Sequence, residues 1–320
     1  MKGRKPFRIV VAEPYASEAL ALLEDVADVT LLKSSAPDTL ISALPEADAL
    51  LIRGKTHVTA RIINAAPRLK VIGRASPTVD HIDLRAAGRR DIRVVYSPHA
   101  AVNSSAEFAL GLILALHRRI PFLDRQLREG KFEAIRTPSG REIGRQCVGL
   151  LGIDPVAEKL GRILSTAFGC RIVYHDPRGR SPTGFRGESL ELGPLLSSAD
   201  IVSVHLRASP ETRGLINADR LRQMKPSAIL INVTGGAVID TIALAEALRV
   251  HAIAGAALDV FETEPLATQH PLRRAPNCIL TPHVAGATLD ASAGRFNVAE
   301  DVLRVLQGQD PKYPVDIPPV

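Results

Sequence analysis

Tryptophan is absent from this chain of 320 residues, methionine occurs twice, cysteine three times, and aromatic residues make up only 4%. Its cores must therefore be packed with Leu, Ile, Val and Ala. The three cysteines, Cys147, Cys170 and Cys278, stand far apart, two of them in strand-like runs. That spacing speaks against a disulfide framework and against a metal site, and fits buried thiols in a reducing compartment. No apolar run approaches the roughly 18 residues of a membrane span. The basic start MKGRKPFRIVVAEP carries an apolar stretch too short for a signal peptide, closed by Glu13. A soluble cytoplasmic protein that does not enter a membrane is expected. Charge of one sign is not gathered either. The net charge is +6, but 40 Lys and Arg are interleaved with 34 Asp and Glu. A scattered basic surface attracts small anions in general and speaks against a nucleic-acid partner.

What is present is alternation. FRIVVAEP reads as a strand, SEALALLEDVA as an amphipathic helix, VTLLKS as a strand and 36–44 as a helix. DALLIRG, LKVIGRAS and IRVVYSP continue the strands, with helical stretches at 59–65 and 82–89 between them. A long, nearly all-round apolar helix over 104–119 interrupts the rhythm, and such a helix must be buried on most sides. Strands then resume at CVGLLG, RIVYHD, DIVSVHL, AILINVT, AGAALDV and CILTPH. Between them lie helices at 156–167, 190–196, 218–224 and 241–250, and a last helix spans 290–306. Residues 311–320 are Pro-rich and read as an irregular tail. A βαβα rhythm predicts parallel sheets covered by helices on both faces. The chain is long enough for two such α/β domains, the first completed by the C-terminal helix.

The run ending at Gly152 leads directly into a helix through Gly152-Ile153-Asp154-Pro155-Val156-Ala157. This is the build of a dinucleotide-binding turn, whose second glycine lets backbone approach a pyrophosphate. Asp154 holds that second place and sets a carboxylate beside a ligand that is itself an anion. Asp154 is also a good N-cap, and Pro155 suits a first helical turn. The turn thus still serves folding while its ligand role is weakened.

The strings LINVTGGAVIDTIALAEAL, AGAALDVFETEPL, HPLRRAPNCILTPHVAGAT and SADIVSVHLRASPETRGLI resemble the D-isomer-specific 2-hydroxyacid dehydrogenases, which include the phosphoglycerate, glycerate and formate dehydrogenases. The resemblance covers nearly the whole chain. It implies a Rossmann cofactor domain, residues 100–285, inserted into a flavodoxin-like substrate domain, residues 1–99 with 286–320. It also implies a homodimer joined through the cofactor domains, and NAD-dependent interconversion of 2-hydroxy and 2-keto acids. Within it, His283 matches the acid–base His and Glu264 the carboxylate that orients it. Asp259 matches the position near the nicotinamide amide. Asp176, 24 residues beyond Gly152, matches the acid that holds the adenosine ribose and favours NAD. Arg178 and Arg180 follow it and leave NADP open. His205 ends a strand at the ligand edge of the sheet.

Three departures stand out. Asp154 is the first. The substrate-gripping Arg of N-x-x-R-G is Gly235 here, and a hydrogen atom does not replace a guanidinium fork. The Gly-rich substrate-carboxylate turn reads Ser76-Pro77-Thr78, in which Pro77 has no N–H to donate. Two readings remain. In one the chain is a non-catalytic or weakly active relative, a pseudoenzyme whose NAD affinity is low or lost and whose ligand is a small anion. In the other it is an active NAD(P)-dependent dehydrogenase with an unusual substrate, Arg207 standing in for the missing Arg where the family usually has Pro. The three departures favour the first.

Overall fold

The computed structural model describes the chain apart from residues 1–4, 16, 55, 134, 135, 137–139, 295, 296 and 318–320, and apart from the side chains of 292–294. It divides into two compact units, Met1–Ala101 with Thr288–Val320, and Val102–Ala287.

The first unit is built on five short strands rich in Val, Ile and Leu: β1 (Phe7–Val11), β2 (Ala27–Leu31), β3 (Ala49–Ile52), β4 (Val71–Arg74) and β5 (Arg93–Tyr96). All pair in parallel in the order β2-β1-β3-β4-β5, which is the flavodoxin-like order. The β3 and β4 strands are buried throughout, as parallel strands covered on both faces must be. One face packs Leu40, Leu44, Ile62, Ile63 and Ala86 against the sheet. On the other face, Leu23 joins Val298, Val302 and Leu303 from the helix Asn297–Leu306. That helix lies so close to β4 that a Cβ on Gly73 would stand 2.7 Å from both Val298 Cγ1 and Val302 Cγ2.

The second unit carries β6 (Cys147–Leu151), β7 (Arg171–His175), β8 (Glu188–Ser189), β9 (Ile201–Val204), β10 (Ile229–Asn232), β11 (Gly255–Leu258) and β12 (Cys278–Leu280). The order β12-β11-β10-β9-β6-β7-β8 is that of a Rossmann sheet, with its crossover between β6 and β9. The fold is therefore two doubly wound parallel α/β sheets, the Rossmann unit inserted in the sequence of the flavodoxin-like one.

Several element boundaries differ from expectation. The second strand begins at Ala27, earlier than VTLLKS implied, because it pairs residue for residue with β1 from Phe7↔Ala27 to Val11↔Leu31. The helix expected over 290–306 is described as Leu289–Gly294 and Asn297–Leu306, with 295 and 296 outside the described residues. The long apolar helix runs Val102–His117 and buries Ala106, Ala109, Leu112, Ile113 and Leu116, while Glu107 and Gly111 are exposed. Much of the expected tail is held in place: the buried Asp301 carboxylate accepts the N–H groups of Lys312 (2.7 Å) and Tyr313 (2.8 Å). Residues 318–320 lie outside the described residues.

The helix Ile120–Arg128 and the two-residue strand β8 carried no clear sequence signal. All three cysteines are free, and burial pushes their thiols up, that of Cys278 to about 12. Among the described residues, no helix is long and apolar enough to cross a membrane, and no group of three or more His, Cys, Asp or Glu is gathered to hold a metal.

Candidate functional site

The cofactor turn begins where β6 ends. Gly152 takes φ +96°, and a Cβ there would stand 2.9 Å from the His205 carbonyl carbon and oxygen and 2.8 Å from Leu206 Cδ2. Only glycine allows that approach of two strand ends. Its N–H donates to the His175 carbonyl at 2.8 Å, and the His205 N–H to the Leu151 carbonyl at 2.7 Å, so the ends of β6, β7 and β9 are tied together.

Beyond Gly152, the helix Pro155–Phe168 caps itself. Asp154 Oδ1 accepts the Ala157 N–H at 2.7 Å, as an N-cap should. The Ile153 N–H donates to Asp176 Oδ2 at 2.8 Å, and Pro155 has none to give. Val156 follows as the next helical residue. Asp176 spends its other oxygen on the Arg178 N–H at 2.8 Å, and Arg180 Nε lies 3.3 Å from Oδ2. Two carboxylates thus occupy donors that a pyrophosphate would use at a helix N-terminus.

His205 is buried behind the turn. Its Nδ1 stands 3.5 Å from Asp154 Oδ1, and its Nε2 meets Ser203 Oγ at 2.9 Å. The first separation is an electrostatic contact, too long for a hydrogen bond. Burial pushes the imidazole below its ordinary value, and Asp154 pulls it part of the way back. Ser203 went unnoticed in the sequence, although residues i and i+2 of a strand share a face.

At the end of β12, His283 adopts φ +56°, a backbone conformation that non-glycine residues hold only when their surroundings fix it. The fixing group is Asp259. Its carbonyl accepts the His283 N–H at 2.9 Å. Its fully buried carboxylate accepts from Thr281 Oγ1 (2.6 Å), the Val284 N–H (3.0 Å) and the Ala285 N–H (2.8 Å). Asp259, expected beside a cofactor, is here the anchor of the His283 loop. His283 Nδ1 lies 2.9 Å from Glu264 Oε2, while Glu264 Oε1 accepts the Phe261 N–H at 3.1 Å. A carboxylate only accepts, so Nδ1 carries the proton and Nε2 is left as the basic nitrogen. The His283 side chain is 62% exposed.

Gly235 lies in the turn after β10, with its N–H on Asn232 Oδ1 (3.2 Å) and its carbonyl accepting from Asn232 Nδ2 (2.9 Å). A Cβ there would stand 2.4 Å from the Leu206 carbonyl oxygen and 3.1 Å from the Ala208 N. The space a side chain would enter is filled by the backbone on either side of Arg207, which is itself exposed. Gly236 is bound as closely, with a Cβ 2.1 Å from the Phe261 carbonyl oxygen.

Ser76, Pro77 and Thr78 belong to the first unit, after β4. The Ser76 N–H donates to the Arg74 carbonyl (2.8 Å) and the Thr78 N–H to Ser76 Oγ (3.4 Å). With Pro77 lacking an N–H, the backbone donors of this loop are engaged within it.

Residues 110–285 match the profile of the D-isomer specific 2-hydroxyacid dehydrogenase NAD binding domain. The chain belongs to this family. It is 38% identical over 307 residues to the D-3-phosphoglycerate dehydrogenase of Mycobacterium tuberculosis strain H37Rv, covering 94% of this chain but only 57% of that protein. It is 37% identical to a glyoxylate reductase of Thermofilum pendens, covering 94% of this chain and 91% of the relative. The crystal structure of the TT0316 protein from Thermus thermophilus superposes with a TM-score of 0.87 at 35% identity, over 97% of this chain and all of that one. As a 2-hydroxyacid dehydrogenase family member, the protein has the Rossmann unit of a nicotinamide-cofactor protein and the flavodoxin-like unit beside it in sequence.

Proposed function

We propose that this protein is a 2-hydroxyacid dehydrogenase family member that keeps an acid–base pair but binds nicotinamide dinucleotide weakly, so that its dehydrogenase activity is low or absent. The observation that carries this reading is the self-capped turn, in which Asp154 holds the Ala157 N–H at 2.7 Å. An incoming pyrophosphate must displace that carboxylate or stand beside it, and juxtaposed like charges cost several kcal/mol when desolvated. On the substrate side, the position of the carboxylate-gripping cation is Gly235, and its space is filled by the Leu206 carbonyl. Losing one preorganised polar contact of this kind costs about 10²–10³ in rate. What persists is proton transfer at His283 Nε2, with Glu264 and Asp259 holding the ring and the loop. The ligand in this reading is a small 2-hydroxy or 2-keto acid anion. NAD is the nominal cofactor, with NADP open through Arg178 and Arg180.

The substrate domain is taken as 1–99 with 286–320, and the cofactor domain as 100–285. A homodimer through the cofactor domain fits the apolar side chains left exposed near the helix Ile120–Arg128, namely Ile120, Leu127 and Phe132. Three free thiols fit a reducing, cytoplasmic setting.

A second reading has one observation in its favour. The backbone filling the space at Gly235 flanks Arg207, so a cation is carried by the loop that replaces the missing side chain. In that reading the protein is an active dehydrogenase and Arg207 grips the substrate.

Calorimetric titration of NADH and NADPH into the protein and its Asp154→Asn variant, with turnover of glyoxylate and other 2-keto acids, separates the two. The first reading expects weak binding by the parent and binding at least about tenfold tighter in the variant, a change of about 1.4 kcal/mol. Micromolar binding with turnover by the parent, abolished by Arg207→Gln, establishes the second.

A further inference from the structure

The Asp154 carboxylate, which caps the helix Pro155–Phe168, faces a second titratable group from behind. The His205 imidazole, directly after β9, has its Nδ1 3.5 Å from Asp154 Oδ1, with the His205 side chain fully buried and that of Asp154 15% exposed. This Nδ1 has no hydrogen-bond partner among the described residues, whereas Nε2 meets Ser203 Oγ at 2.9 Å. The elements around the ring bring no other charge against it. The β10 strand carries no titratable side chain, and β6 carries only Cys147, at its far end. At the end of β7, Asp176 is engaged with the Ile153 and Arg178 N–H groups and with Arg180, and His175 Nδ1 lies on the Leu190 carbonyl at 2.9 Å. Arg207, on the same loop as His205, is exposed. Asp154 is the charged group that acts on the ring.

While the ring is neutral, one of its nitrogens is buried without a partner, which calls for an explanation, and the Asp154 carboxylate rests on the Ala157 N–H at 2.7 Å. A proton on the ring changes both. An imidazolium donates from both nitrogens: Nε2 to the Ser203 hydroxyl, which accepts, and Nδ1 to Asp154. A charge-assisted N–H···O contact draws in to about 2.7–2.9 Å. Closing that distance turns the carboxylate toward the ring and away from the helix end. The Ala157 N–H is then released to an incoming phosphate, and the pair carries no net charge. Burial opposes the proton and Asp154 favours it, so the ring is neutral near about pH 7 without ligand.

We propose that His205 is the charge-compensating residue of this turn, so that binding of a dinucleotide is coupled to uptake of one proton by its imidazole, which then pairs with Asp154. The inference rests on the reading that Asp154 is what weakens the dinucleotide, and adds the condition under which that obstacle is lifted. A pyrophosphate beside the pair favours the imidazolium, and by reciprocity the proton strengthens the ligand by the same factor. Ligand binding therefore raises the pKa of the ring. Affinity rises as the pH falls through the window between the unliganded and liganded values, and is level on either side of it.

The probe is ADP-ribose, which carries the adenosine and pyrophosphate but no nicotinamide, so that His283 does not report. Calorimetry on the whole chain at about pH 7.5 and about pH 5.5, below the unfolding temperature, gives the affinity across the histidine range. Repeating it in two buffers of different ionisation enthalpy gives the number of protons bound. The dissociation constant is expected to be about three- to tenfold lower at the acid pH, with uptake of up to about one proton on binding. In His205→Gln, which leaves His175 in place, both the pH dependence and the uptake are expected to vanish. A parent whose affinity is the same at both pH values, that takes up no proton, or that binds at neither pH overturns the proposal. So does a pH dependence that persists in His205→Gln. Should that variant fail to fold, Asp154→Asn replaces it: a flattened pH profile supports the coupling, and an unchanged one overturns it. The underlying reading fails separately, by tight parent binding at neutral pH with no gain in Asp154→Asn. A gain in Asp154→Asn beside a parent indifferent to pH sinks the proton coupling alone.

Discussion

His205 stands 3.5 Å from the carboxylate of Asp154 while its other ring nitrogen meets Ser203 at 2.9 Å, so the end of β9 is coupled electrostatically to the cofactor turn. Burial keeps this imidazole neutral in the folded chain, whereas the unfolded chain takes up the proton near the ordinary histidine value of about 6.5. Between that value and the lower folded one, the unfolded state binds more protons, so stability rises with pH and is lost on acidification. His81, His117 and His270 are shifted in the same direction by burial and add to the trend. Thermal unfolding between about pH 7 and about pH 5 is expected to show a falling Tm, with a shallower slope in His205→Gln. An unchanged slope in that variant excludes His205 as a contributor.

Asp154 has two effects that substitution can separate. Asp154→Asn removes the charge and keeps an N-cap, so its stability should lie within a few tenths of a kcal/mol of the parent. Asp154→Ala removes the cap as well and should lose about 1 kcal/mol, read from denaturant unfolding. Equal stability of the two variants means that the 2.7 Å contact with the Ala157 N–H contributes nothing to the helix end.

The His283 loop depends on Asp259. Asp259→Asn puts an amide NH₂ against one of the donors from Thr281, Val284 and Ala285. A loss of about 2–4 kcal/mol is expected, together with faster hydrogen exchange at the Val284 and Ala285 amides. Normal exchange protection in the variant removes Asp259 as the anchor.

Restoring the missing arginine is expected to fail. In Gly235→Arg the Cβ alone lands 2.4 Å from the Leu206 carbonyl oxygen, and overpacking of this kind costs about 1–3 kcal/mol. Gly235→Ala should carry most of that cost, and Gly235→Arg should gain no turnover. A gain in turnover with unchanged Tm places a different backbone at residues 206–208.

Both sheets were readable from the apolar runs and their alternation with helical stretches, because parallel strands buried on both faces leave continuous Val, Ile and Leu segments such as ALLI and IVSV. The helix Ile120–Arg128 escaped because none of its residues is buried, so no core dictated its pattern. The His283–Glu264 contact was legible as two positions in long motifs. The way Asp259 holds their loop was not, since a sequence does not say which N–H groups a carboxylate will meet. Arg74 reads as one charged residue closing an apolar strand, and its burial at 3% exposure has no signal in the sequence. The closure of residues 206–208 over Gly235 has no sequence signature, as it depends on how two loops far apart in the chain approach each other.

The close seating of Val298 and Val302 on Gly73 has a consequence for biosynthesis. The surface of the five-stranded sheet that takes this helix is made early, but its cover emerges from the ribosome only after the whole of residues 102–287 has been translated. At about 5–20 residues per second, the face formed by Val11, Leu51, Val71 and Val95 waits for about 10–40 s with only Ala19 and Leu23 of the early helix Ser17–Val26 packed on it. During that interval the part of the face that Val298 and Val302 later take is exposed apolar surface.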